Sequence, residues 1–502
     1  MNRSWSLLER LAIATAGLCL ILLAVRTASA VSFAIPLHLV TSGIEHGPLY
    51  TIWKAVNGLS IASDRHDFPF DSTVYNWLFY RLYGWVIGSI LTLFQLDEEW
   101  LPTLARLLTA SAIPIYILIS SRALLVAGAI TAPAQKRLAW AMAILLASGP
   151  LIGFWSITTR PDYWAALAEI AAVLAFWQLA SHRLWAATAA FAALAFLSWS
   201  LKQTNVSALC GMGLFLLIRL RWRELLLLGL LSIAGWAATI GFFGAEYANN
   251  LFFRGIPFSY RLPHALLVLK GAAIKTAPIC AFLAAGLVLL LARSDWKTRI
   301  CKDERLLFAL CCFLVSFLFA FSTSMQDGSA ENYYFTTAFF AALSAFCLTR
   351  RPEEAPPPRW TGAMHLAGWL GLAAANLLVL AGQAGTLSVR PQHDIFSAQR
   401  QCLEGLTPPY YVKDDYLSLP WMAKGNPPIA LSYSYYDERR VGNPFQHGGL
   451  GGLIEQGFFT TLVFVAQTPP EELDGAKLTG YIPRQGACAG MLFMDRAGGS
   501  RP

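Results

Sequence analysis

Apolar residues recur along most of the chain in runs of roughly 20, broken by short polar stretches, a length that lets a helix cross the hydrocarbon core of a bilayer. The runs predict a first span over Leu11–Val25 and further spans near 101–121, 138–157, 163–180, 184–200, 206–219, 224–243, 272–292, 305–322, 335–349 and 361–383. The pattern changes from about Gly385, where the chain becomes rich in Pro and Tyr. Short runs at Pro428–Tyr433, Thr461–Gln467 and Gly490–Asp495 read there as strands. The expected architecture is a polytopic α-helical membrane protein of about eleven spans over 1–383, followed by a small extracytoplasmic α/β domain over 384–502. At the N-terminus, Ala28-Ser29-Ala30 resembles a signal-peptide cleavage site, but the apolar run continues through Phe33 and Ile35, which favours an uncleaved span.

Basic residues set the orientation, because cytoplasmic loops collect Lys and Arg. They cluster at Arg122 with Lys136 and Arg137, at Arg183, at Arg219, Arg221 and Arg223, at Arg293 to Lys302, and at Arg350, Arg351 and Arg359. These clusters fall in every second loop if the segment 74–96 does not cross. That segment is therefore expected to be an interfacial helix in a first external loop spanning 36–100, an assignment that suits Tyr75, Trp77, Tyr80, Arg81, Tyr83 and Trp85. The N-terminus is then cytoplasmic and the tail exported, which in a bacterial inner (plasma) membrane means periplasmic.

Composition agrees with a membrane protein. The chain is 56% hydrophobic and 14% charged, with mean hydropathy +0.49, whereas soluble domains carry about 25% charge. The net charge of +8 is spread over short loops, which argues against a nucleic-acid partner. The sequence has no P-loop, no GxGxxG in a strand context, no HExxH and no paired CxxC. Nucleotide energy and redox cofactors are accordingly not expected. Cys402 and Cys488 stand apart from the cysteines of the spans, and in an exported tail they form a candidate disulfide.

Several charges run against the topology rule and gather on the external side: Arg160, Lys202, Arg254, Arg261, Lys270 and Lys275. Cations beside apolar sequence at that face suit an anionic ligand such as a phosphate. The long first loop, from Ser42 to Tyr80, holds Glu45, Asp64 and Asp67 among aromatics, with Tyr75 and Asn76 at its end. Further along the external face lie Asp162 in TTRPDYW and Glu331, Asn332 and Tyr333 in the stretch DGSAENYY. Structural roles compete with functional ones: Asp162 can cap the helix that follows Pro161, and Lys202 can snorkel to headgroups.

The order of these motifs resembles the GT-C superfamily of membrane glycosyltransferases, the group that contains the protein mannosyltransferases and the lipid A aminoarabinose transferase (family 39-like). The resemblance covers about residues 8–350. It is carried by Glu45 before PLYTIWKAVNG, by VYNWLFYRLYG, by RPD at 160–162, by KQT at 202–204 and by ENYY at 331–334. Relatives often place an Asp or an Asp-Glu pair in the first loop, where this chain has a lone Glu. The resemblance implies a polyprenyl-phosphate sugar donor used at the exoplasmic face, usually with inversion, among membrane lipids. On that reading Glu45 or Asp162 is the base. Arg160, Lys202, Arg254, Arg261, Lys270 and Lys275 are the donor-phosphate ligands, and Asp64, Asp67, Tyr75, Asn76, Glu331, Asn332 and Tyr333 are substrate contacts. No metal or other cofactor is required, although two carboxylates could bind a divalent ion. The alternative is a transporter or lipid flippase, which would line a path through the membrane with charge.

Overall fold

The computed structural model describes residues 45–71, 73–130, 133–252, 260–326, 328–349, 395–429, 433–440, 442–465, 471–484, 488 and 490–498, with parts of 10–27. In chain order its helices are α1 (His46–Val56), α2 (Trp77–Phe94), α3 (Leu101–Ala110), α4 (Ala112–Ala127), α5 (Pro133–Ser148), α6 (Asp162–Ala180), α7 (Leu184–Leu201), α8 (Ser207–Ile218), α9 (Trp222–Phe252), α10 (Leu262–Leu291), α11 (Trp296–Lys302), α12 (Glu304–Thr323) and α13 (Phe335–Thr349). The tail adds α14 (Ile395–Leu403), α15 (Tyr433–Arg440), α16 (Gly449–Glu455) and six short strands.

Local chemistry explains several boundaries. Asn76 caps α2 by accepting from the Trp77 N–H at 2.8 Å, and Asp303 caps α12 by accepting from the Arg305 and Leu306 N–H groups. Proline at its first turn suits the start of α10, and Gly244, at φ 84°, breaks α9. Among the described residues seven helical stretches are long and apolar enough to cross a membrane: Trp77–Phe94, Glu98–Ala127, Asp162–Ala180, Leu184–Leu201, Trp222–Phe252, Leu262–Leu291 and Glu304–Thr323. The stretch expected to lie flat at the interface is thus a continuous helix of 18 residues that meets the same criterion. The expected spans at 138–157, 206–219 and 335–349 correspond to helices of 16, 12 and 15 residues. The expected span at 361–383 lies outside the described residues.

The chain divides into two compact units. The first comprises 1–29, 107–238 and 258–389; the second comprises 30–106, 239–257 and 390–502. The named elements in the described part of the first unit are all helices. Its core joins α4 to α8 with α10, α12 and α13 through residues such as Tyr163, Phe176, Phe215, Phe308 and Phe339. One close approach stands out: a Cβ on Gly211 of α8 would lie 2.6 Å from the Cα of Cys312 on α12, so only glycine lets these two helices touch there.

The second unit is built from three separated pieces of chain. Its sheet has the strand order β1–β2–β6–β5, where β1 is Tyr410–Lys413, β2 Thr461–Phe464, β5 Tyr481–Pro483 and β6 Leu492–Arg496. β1 and β2 are parallel, with Tyr411 opposite Leu462, and the other pairs are antiparallel. The parallel pair needs a long crossover, which α15 and α16 supply. β3 (Glu472–Leu473) and β4 (Ala476–Lys477) form a hairpin through Asp474 and Gly475, both at positive φ, as a twisted two-residue turn demands. Phe70, from the long first loop, is buried in the same core as Tyr435, Leu450 and Leu462. Of the strand expected from Pro428 to Tyr433, Pro428 and Ile429 belong to no element and Tyr433 opens α15, while 430–432 lie outside the described residues. β1 was hidden in the sequence because two prolines precede its four residues.

Candidate functional site

In the first unit, Arg160-Pro161 leads straight into α6, so Asp162 becomes its first helical residue. Proline is suited to that start, and the helix dipole favours a carboxylate there. Lys202 ends α7 with extended backbone at φ −144°. Asn332 sits on the single 3-10 turn, Glu331–Tyr334, that precedes α13. These three side chains meet. The Lys202 ammonium and the Asn332 amide both donate to Asp162 Oδ1, the amide at 2.5 Å. All three are buried, at 3%, 5% and 9% exposure. Asp162 Oδ2 is buried with no hydrogen-bond partner among the described residues. A carboxylate oxygen can accept two bonds and is costly to leave unmet.

Around this cluster, Lys202 Nζ lies 4.7 Å from the centre of the Tyr333 ring, and the Arg160 guanidinium lies 4.6 Å from that of Trp155. The cluster opens on a cleft of about 350 Å³, counted out to open solvent. Its lining mixes Asp162, Lys202, Thr204 and Asn332 with the apolar rings of Phe319 and Phe335. Lys275 pairs with Glu331 at 2.8 Å. Gly271, one turn earlier on α10, leaves room for that carboxylate, since a Cβ there would come within 2.7 Å of Glu331 Oε1. Arg261 and Lys270 are exposed and do not line the cleft, and Arg254 lies outside the described residues. Of the six cations expected to act as one phosphate set, the cluster therefore holds Lys202, with Arg160 two residues before Asp162 in the chain.

In the second unit, Glu45 is fully buried and leads into α1. Its carboxylate is held by the Arg106 guanidinium, with Nε at 3.2 Å from Oε2 and 3.4 Å from Oε1 and Nη2 closing the pair. Its backbone N–H donates to the Tyr416 hydroxyl at 3.2 Å. The next residue, His46, lies 3.6 Å from Asp415. Lys54 forms a buried ion pair with Asp71. Burial, reinforced by the Asp71 carboxylate, pushes the Tyr50 phenol above its ordinary value, so it remains a donor. Asp64 accepts from the His66 N–H at 2.9 Å, and His66 Nε2 lies 2.6 Å from Glu438. Asp67 is exposed. Tyr75 is buried edge-on to Phe79, and the Asn76 side chain is taken up by the α2 cap and the Tyr247 hydroxyl. Cys402 and Cys488 are joined by a disulfide. Among the described residues no three His, Cys, Asp or Glu side chains are grouped as metal ligands.

Two charges escaped the reading of the sequence: Arg106, in the apolar run 101–121, and Glu169, in the run 163–180. Both side chains are fully or almost fully buried. The signal was available, because an ionisable residue inside an apolar run is rare and has a partner to find.

No family model matches this sequence, and no curated protein matches it. Solved structures do. The chain is similar to the crystal structure of ArnT from Cupriavidus metallidurans bound to undecaprenyl phosphate, with a TM-score of 0.57 and 13% identity over 99% of this chain and 99% of that one. It is also similar to the apo structure of the same ArnT, with a TM-score of 0.56 and 13% identity over 96% and 98% of the two chains. The chain therefore has the fold of these two ArnT structures.

Proposed function

We propose that this protein is a membrane glycosyltransferase that moves a sugar from a polyprenyl-phosphate donor to a hydroxyl acceptor at the exoplasmic face. The observation that carries the reading is the ArnT likeness over 99% of both chains, one ArnT structure being bound to undecaprenyl phosphate. The Asp162 cluster supplies chemistry that fits. The acceptor oxygen bonds to the anomeric carbon as the bond from that carbon to the phosphate oxygen breaks. The acceptor proton passes to Asp162 Oδ2, the oxygen that neither Lys202 nor Asn332 occupies. As that carboxylate is neutralised, the Lys202 charge turns toward the departing lipid phosphate, with Arg160 beside it. Cations in a partly dehydrated cleft stabilise such developing charge far better than they would in water. Glu45 is assigned the task of holding Arg106 in place. The transport alternative would draw on Glu169 as an acid inside a span, but its carboxylate is filled by protein donors, which suits a fixed tie better than a path.

The test is to titrate purified protein in detergent with undecaprenyl phosphate and then to assay sugar transfer from polyprenyl-phosphate sugars. Binding at 100 times Kd should stabilise the fold by about 2.7 kcal/mol, and Asp162→Asn should slow transfer by about 10²–10⁴-fold while leaving binding. A protein that neither binds the lipid phosphate nor releases sugar from any such donor would sink the reading.

A further inference from the structure

We infer that Glu169 is a positioning residue that sets the geometry of the Asp162 cluster from one level deeper in the helix bundle. This rests on the function proposed above, and its test separates the two.

Glu169 lies seven residues after Asp162 on α6, about 10 Å along the helix and on the same face. It is 1% exposed. Its carboxylate takes four donors from two other segments. Oε1 accepts from the Ala208 N–H at 3.0 Å and the Ser207 hydroxyl at 3.3 Å. Oε2 accepts from the Thr336 hydroxyl at 2.6 Å and the Asn205 amide at 3.5 Å. Asn205, Ser207 and Ala208 stand three, five and six residues beyond Lys202, and Thr336 stands four residues beyond Asn332. The same three segments are thus tied twice, each time around a carboxylate of α6. Lys202 and Asn332 meet at Asp162, and their downstream neighbours meet at Glu169.

The two tiers share the cleft. Asn205, Ser207 and Thr336 line it together with Asp162, Lys202 and Asn332. In the upper tier Asp162 Oδ2 meets no donor among the described residues; in the lower tier both carboxylate oxygens are filled. A group meant to react leaves room for a ligand, and a group meant to hold does not. Neither Lys202 nor Asn332 is fixed by regular helix at its own position, since Lys202 has left α7 and Asn332 sits on a 3-10 turn. Glu169 provides the fixed point from which both are placed.

The experiment compares Glu169→Leu, Glu169→Gln and Thr336→Val with wild type, counted per folded molecule by size-exclusion. Two readouts are taken: transfer kinetics, and the rate at which an amine-reactive reagent labels Lys202, followed by mass spectrometry. Glu169→Leu should lower kcat about 100-fold, as a displacement of about 1 Å near reacting atoms does, and should speed Lys202 labelling several-fold. KM should stay within about threefold, because the lost interaction does not touch substrate. Glu169→Gln keeps an acceptor for the Ala208 N–H while its amide meets a Thr336 hydroxyl able to turn and accept. It should recover kcat to within about tenfold of wild type. A folded Leu variant with wild-type kcat overturns the inference whatever the labelling shows. If the Leu variant does not fold, Thr336→Val decides on the same criteria: slower turnover and faster labelling support it, and wild-type turnover overturns it. If wild type itself transfers no sugar, the proposed function fails, and Lys202 labelling alone decides, unchanged labelling overturning the positioning role.

Discussion

The Arg106 guanidinium grips the Glu45 carboxylate, and neither side chain has any exposed surface. A buried carboxylate deprived of its guanidinium is far more costly than the pair is favourable. Arg106→Met should lower stability by about 3–5 kcal/mol, read as a drop in the thermal unfolding midpoint in detergent. Combining it with Glu45→Leu should recover most of that loss. Equal destabilisation in the single and double variants would show that the two residues are not coupled.

Asp162 and Lys202 should separate in kinetics. Asp162→Asn removes the proposed base and should cost about 10²–10⁴-fold in kcat. Lys202→Met removes the cation proposed to meet the leaving phosphate, and it should weaken undecaprenyl phosphate binding as well as turnover. Lys202→Arg should not rescue, since a planar fork cannot occupy the place of a point charge between Asp162 and Tyr333. Stopped-turnover assays beside lipid-binding titrations distinguish these outcomes.

Gly211 and Gly213 offer a matched pair on α8. A Cβ at Gly211 would strike the α12 backbone at Cys312, whereas one at Gly213 meets its nearest neighbour, Leu225, at an ordinary 3.9 Å. Gly211→Val should destabilise by about 1–3 kcal/mol through overpacking. Gly213→Val should change the unfolding midpoint little. Similar midpoints for the two variants would contradict the close approach.

The disulfide Cys402–Cys488 spans 86 residues of the second unit. Cys402→Ser with Cys488→Ser should cost about 2–4 kcal/mol, chiefly by freeing the unfolded chain. Limited proteolysis should then cut the tail at lower protease concentrations, and a reductant should reproduce the effect in wild type but not in the variant.

The membrane character and the GT-C resemblance were legible because apolar runs near bilayer length survive any local detail. The candidate residues were legible one at a time. Asp162, Lys202 and Asn332 were each marked by charge or polarity beside apolar sequence, but nothing along the chain says that they meet at one oxygen, since that depends on how α6, the end of α7 and the start of α13 pack. Arg261 and Lys270 carried the same mark and turned out to be exposed, because a cation at a helix end is served equally well by water or headgroups. Asn76 looked like a polar contact for substrate, yet its side chain is occupied by the α2 cap and Tyr247. Glu169 and Arg106 were passed over because a long hydrophobic average conceals one charge. Among the described residues, Ser207–Ile218 and Phe335–Thr349 fall short of a crossing length because their apolar runs, 206–219 and 335–349, are themselves shorter than a bilayer is thick.

The second unit draws on chain from both sides of most of the membrane helices, and the Glu45 N–H finds its Tyr416 acceptor 371 residues later. At about 5–20 residues per second, the ribosome needs roughly 20–75 s to deliver that partner. During synthesis the first loop must therefore wait, with Phe70 lacking the core it later enters and α1 lacking its final neighbours. Assembly of this unit is the last act of biogenesis, completed only after the spans between its pieces have been inserted. A chain truncated before residue 390 would reach the membrane with Glu45 paired to Arg106 but without the rest of the scaffold that encloses it.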